Sequence, residues 1–307
     1  MRRKLTCFLL FISTFTFLFY GCKPDKQNTE QANTGFQSRD TTSEVTDSLR
    51  KQQIYYRFPS AKEMLSYIQS NQLIYRSDLT NTLENLDHYH STRSKALNLG
   101  VYLTDLSYNV LFDKTQHTDD YFNAIFNLTA DLRIKAPHEE ELLQKISDNM
   151  HNADSLVKIA DTYHSRIIDY LMETGNEKTL AIISTGSYIE GLYIVLNLIT
   201  DYDRQELTVE KIAAQKYAFE NLAHFAQTFP EDINTQYSLG YLQRINQHFK
   251  DFRVEKQETE VKRDSDNTLV FEGGEKIHIS KEKFEALRQE VNEIRNQITN
   301  SQKPSQQ

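Results

Sequence analysis

The sequence predicts an all-α protein, a multi-helix bundle or short helical-hairpin array, finished by a small C-terminal β-hairpin and an amphipathic helix. Three observations predict it. Long windows between Ile54 and Phe252 carry apolar residues three and four apart, the period of a helix. The prolines in that stretch, Pro59, Pro137 and Pro230, fall at element boundaries. Alternating apolar residues flank Gly273-Gly274 near the end of the chain, the pattern of paired strands.

The first element is an address. Arg2, Arg3 and Lys4 precede Leu5 to Tyr20, where twelve of sixteen residues are apolar and five are Phe. A positive start and a short apolar run have the form of an export signal, too short to span a bilayer comfortably. Phe19-Tyr20-Gly21-Cys22 resembles the lipobox of bacterial lipoproteins, with Phe19 and Tyr20 bulkier than usual. The resemblance implies a signal peptide over 1–21 and a lipidated Cys22. Cysteine usage agrees: once Cys7 leaves with the signal, Cys22 is the one thiol left. Residues 23–53 are polar and nearly free of apolar side chains, so 22–53 reads as a lipidated Cys on a disordered tether. A flexible coil of that length spans roughly 30 Å.

The helical domain is expected over 54–253. Ser60 to Glu63 has the form of a capping box and opens a helix to about Tyr75. A longer helical stretch covers about Asn81 to Phe112, with a possible break near His90-Ser91. Thr118 with Asp119 and Asp120 caps a helix to about Ile134. Glu139–Met150 and Asp154–Glu173 follow as two helices or one. Gly175-Asn176 ends them, and Glu177–Ile199 is the most apolar helix of the mature chain. Thr208–Phe229 and Ile233–Phe252 form an antiparallel pair across Pro230. In 254–300 a hairpin is expected to turn at Gly273-Gly274, with Leu269 and Phe271 before it and Ile277 and Ile279 after it. Ser280 then caps a last helix whose Phe284, Leu287, Val291, Ile294 and Ile298 form one seam, for the bundle or for a partner helix. Residues 301–307 read as a disordered tail.

Charge and composition narrow the function. The 307 residues include 43 acidic and 35 basic side chains, a formal charge of −8 that becomes about −11 when Arg2, Arg3 and Lys4 are removed. Such a body repels phosphate backbones, and no nucleic-acid partner is expected. The chain carries no Walker or dinucleotide loop and no Gly-x-Ser-x-Gly elbow, so no cofactor and no nucleophilic catalysis is expected.

The sharpest constellation is an echo between two apolar helices. Leu99 to Tyr108 and Thr185 to Tyr193 share Gly-x-Tyr and an acid three residues before a Tyr. Helical spacing stacks Asp105 with Tyr102, Tyr108 and Asn109, and Glu190 with Gly186, Tyr193 and Asn197. With Tyr188, these nine are the candidate ligand residues. If both stripes face inward, two carboxyls with raised pKa converge, suited to cation binding or general acid work. Alternatively, tyrosine hydroxyls satisfy the acids within a filled core, and Gly100, Gly186 and Gly191 let helices approach closely. Asp148-x-x-His151 and Asp161-x-x-His164 have a metal-ligand spacing, but they point apart on a helix and lack partner acids, so no metal is expected.

Gly21-Cys22, Lys95 to Tyr102, Gly186 to Tyr193 and the final Phe284 to Ile298 helix together resemble a group of helical lipoproteins of Bacteroidota that carries no assigned activity. The resemblance implies an exported, lipid-anchored, mostly helical protein and brings no catalytic residue. The expected role is a non-catalytic binding or scaffolding module, tethered to a membrane and meeting an envelope protein or cell-wall partner. Lys23 after the lipidated Cys favours the periplasmic face of the outer membrane.

Overall fold

The computed structural model describes residues 65, 73–114, 118–135, 139–149, 151–263 and 269–300. The leader, Cys22, the tether, the Ser60 cap and the 301–307 tail lie outside them. Among the described residues the chain is an all-α bundle of nine helices with one two-stranded antiparallel sheet. The helices are α1 (Thr92–Leu111), α2 (Thr118–Asp131), α3 (Glu139–Asp148), α4 (Ala153–Glu173), α5 (Glu177–Leu198), α6 (Glu206–Ala214), α7 (Lys216–Gln227), α8 (Ile233–Lys250) and α9 (Lys281–Thr299). Strands β1 (Arg253–Arg263) and β2 (Leu269–His278) precede α9.

Local chemistry sets most boundaries. Ser91 opens α1 with a reciprocal box, its hydroxyl taking the Ser94 N–H while the Ser94 hydroxyl takes the Ser91 N–H. Asn152, Asp232 and Ser280 cap α4, α8 and α9 in the same sense. Gly175, at φ 68°, closes α4 in the left-handed region, where Asn176 N–H reaches back to the Leu171 carbonyl.

Five expectations are corrected. Residues 81–90 are not α-helical: a 3-10 turn covers Leu83–His88, and the continuous helix starts only at Thr92. Leu83 and Leu86 are three apart, a spacing that 3-10 and α turns share. Leu73 to Tyr75 are likewise non-helical. Helix α2 stops at Asp131, because Arg133 takes φ 57° and the Ile134 N–H turns back to the Thr129 carbonyl. The predicted Thr208–Phe229 helix is two, broken where the Gln215 N–H bonds to Ile212 three residues back. Gly273-Gly274 is no turn either. Gly274 pairs with Gln257 inside the hairpin, beside a register shift between Gln257 and Glu260. Two glycines thus serve a bulge rather than a primed turn.

The centre is the crossing of α1 and α5. A Cβ on Gly100 would stand 2.1 Å from the Ile183 carbonyl oxygen, and one on Gly186 would stand 2.0 Å from that of Leu97. Only glycine permits this approach. The Ser187 hydroxyl donates to the Gly100 carbonyl at 3.0 Å and ties the backbones together. Helix α5 is apolar on nearly every side, as a helix packed on by α1, α4, α7, α8 and α9 must be. The seam of α9 docks on this bundle, with Phe284, Leu287, Val291, Ile294 and Ile298 all buried. Each such side chain contributes about 1.5–3 kcal/mol relative to exposure.

Candidate functional site

Asp105 on α1 and Glu190 on α5 meet one turn beyond the glycine crossing, both fully buried. A third residue completes the group. Arg295 of α9 donates from Nε to Glu190 Oε2 and from Nη2 to Glu190 Oε1, each at 3.1 Å, a bidentate pair. Nη2 also reaches the Leu79 carbonyl at 3.4 Å, and the guanidinium carbon stands 4.6 Å from the Tyr193 ring centre. Burial alone would lower the Arg295 pKa, but the charge and hydrogen bonds of Glu190 outweigh it and hold the group firmly cationic.

Asp105 accepts the Asn81 N–H at Oδ2, 3.0 Å away. Its Oδ1 meets no N–H or O–H donor, yet the carboxyl lies within hydrogen-bonding reach of Glu190. Burial first, and the Glu190 charge second, push the Asp105 carboxyl well above the usual carboxylate range, against the smaller opposing pull of Arg295. Of the two acids the environment thus favours a proton on Asp105, while Glu190 makes the bidentate contact to Arg295.

A strap over Leu73–His90 roofs the group, and most of the candidate ligand residues bind the strap. Tyr102 donates to the Thr82 carbonyl at 2.9 Å, the Tyr108 hydroxyl accepts the Arg76 N–H at 2.9 Å, and Asn109 Oδ1 accepts from the Tyr75 hydroxyl at 2.7 Å. Burial raises the Tyr108 phenol to about 12, so it stays protonated near neutrality. Asn197 holds α9 through Asn292 Oδ1 at 2.8 Å, and its carbonyl takes Arg76 Nη1 at 3.1 Å. Gly186 and Tyr188 do not join them. Gly186 lies against Leu97, and Tyr188 packs against Phe219 with its buried hydroxyl unpartnered.

Sequence reading missed Arg295 and Asn81. Asn81 is the hub of the strap: its N–H goes to Asp105, its carbonyl takes the Tyr121 hydroxyl, its Oδ1 takes Asn85 and its Nδ2 donates to Tyr89. Arg295 does leave a trace. It lies four residues after Val291, on the buried side of the α9 seam, where a cation needs an internal acid. The Asp-x-x-His pairs stay apart from the cluster. Asp148 and His151 are exposed, and no group of three or more His, Cys, Asp or Glu placed for a metal occurs among the described residues. No protein-family model, curated protein or solved structure matches the chain.

Proposed function

We propose that this chain is a lipid-anchored envelope protein whose helical body is a non-catalytic binding or scaffolding module for an envelope protein or cell-wall partner. Cys22 would carry the lipid, and the body would face the periplasm from the outer membrane. One observation carries the non-catalytic reading: the acid pair best placed for chemistry is filled by the chain itself. Glu190 is held by Arg295, Asp105 by Asn81, and the neighbouring phenols by strap backbone. A group that must reorganise its own fold to admit a substrate is a fastener.

The convergence of Asp105 and Glu190 keeps a second reading in view, a site for a small cation. There an external cation competes with a guanidinium already delivered intramolecularly, which ranks it second.

The test combines metabolic labelling with an alkyne fatty acid and crosslinking in intact cells. Lipid incorporation that Cys22→Ser abolishes, with one specific crosslinked partner, is the expected result. Recovery of an unlabelled protein from the cytosol, or no specific crosslink, counts against the reading.

A further inference from the structure

A groove of about 330 Å³ opens between the start of α1, α8 and the end of α9, away from the buried acids. Its lining includes Arg93, Tyr237, Tyr241 and Gln297, and no carboxylate among the described residues. The two serines at its edge are spent. Ser91 Oγ donates to Ser94 Oγ at 3.0 Å, and Ser94 Oγ donates to the Ser91 carbonyl at 2.9 Å.

The groups left over are donors. Arg93 holds its guanidinium carbon 3.8 Å from the Tyr237 ring centre and has no acceptor among the described residues. Gln297 Oε1 accepts from Arg244 Nη1 at 3.0 Å, which turns the amide nitrogen away as a free donor. Burial pushes the Tyr241 phenol up to about 12, so that hydroxyl keeps its proton. The nearby acids of α9 engage another cation instead of Arg93: Arg244 meets Glu290 at 2.6 Å and Glu293 at 3.7 Å. The Tyr241 hydroxyl bonds to Tyr237, which leaves the Arg93 guanidinium and the Gln297 amide nitrogen as the open donors, and that pair calls for an anion. A planar carboxylate fits the guanidinium fork, and stacking on Tyr237 orients that fork beforehand.

The rim indicates what the carboxylate is attached to. Ile233 and Tyr237 lie one turn apart on α8, 74% and 51% exposed, and lead into the groove in line. An apolar stripe beside a donor set suits a peptide with an acid next to an apolar side chain. A neutral glycan would bring no charge to answer the guanidinium of Arg93.

We propose that this groove binds an acidic peptide segment of a partner protein, an assignment that rests on the binding-module reading above. An Asp or Glu carboxylate sits on Arg93 and Gln297, and the adjoining apolar side chain lies against Tyr237 and Ile233.

The experiment selects displayed random heptapeptides on the full chain in detergent micelles, with the Arg93→Gln chain as counter-selection. Fluorescence anisotropy then measures the enriched peptides, with an N-acetylglucosamine oligomer and a muramyl dipeptide run as comparison ligands. Enriched peptides are expected to carry an Asp or Glu beside an apolar residue. Changing that Glu to Gln, or Arg93→Gln in the protein, should weaken binding about tenfold or more while the circular dichroism spectrum stays that of the parent, and Arg93→Lys should restore part of it. Enrichment without an acid, affinity indifferent to Arg93→Gln, or Arg93-dependent binding of the sugar alone would overturn the assignment. If crosslinking in cells still finds a partner while Arg93→Gln changes nothing, the groove assignment falls and the binding module stands. If both fail, both fall.

Discussion

Two arginines lie over tyrosine rings in this molecule and do opposite things. Arg295 stands 4.6 Å from the Tyr193 ring centre, inside the bundle, with a carboxylate and a backbone carbonyl on its nitrogens. Arg93 stands 3.8 Å from the Tyr237 ring centre at the surface, with no acceptor among the described residues. The residue type is the same and the aromatic contact is the same. What differs is the supply of acceptors: the interior gives Arg295 a carboxylate and a carbonyl, and the groove leaves Arg93 to a visitor.

The largest effect should come from breaking the interior member. Arg295→Ala leaves Glu190 buried without its cation, and denaturant unfolding should show a loss of about 3–5 kcal/mol. A loss below 1 kcal/mol would mean that the cluster relaxes to water and that the two arginines are less different than they look.

An intermediate effect concerns the proton. Asp105 is raised in the folded state, so the folded protein holds a proton that the unfolded chain gives up once pH passes the ordinary aspartate value near 4. Stability from this group is therefore fully present at low pH and falls as pH rises through that window, by about 1.4 kcal/mol per pH unit. Asp105→Asn cannot titrate, and its amide can still donate to Glu190 while its oxygen accepts from Asn81. Relative to the parent, this variant should gain stability steadily from pH 4 upward in urea titrations. A constant difference across pH would show that Asp105 is ionised in the fold.

The smallest effect belongs to the surface arginine. Arg93→Ala removes one exposed cation–π contact and should cost about 0.5–1 kcal/mol or less in the same assay, with peptide affinity carrying the phenotype instead.

The helical class was legible because it depends on local period and caps, which a single chain displays: Gly175 and Ser280 mark boundaries that the structure keeps, while α2 starts at Thr118 with no bond from that hydroxyl. Asp105 and Glu190 stood out as acids among apolar neighbours. Their partner did not, since Arg295 lies 105 residues beyond Glu190, and no local pattern encodes a meeting at that distance. Ambiguous chemistry accounts for the remaining differences. Leu83 and Leu86 suit either kind of helical turn, and a glycine pair suits either a hairpin bend or a bulge.

The roofing strap has a kinetic consequence. Tyr89 reaches the Thr299 carbonyl across 210 positions, and the Leu79 carbonyl meets Arg295 across 216. Asp105 and Glu190 are thus synthesised long before the cation that makes their burial tolerable. Closing the roof over the acid pair therefore needs contacts between the two ends of the described chain, a high-contact-order step.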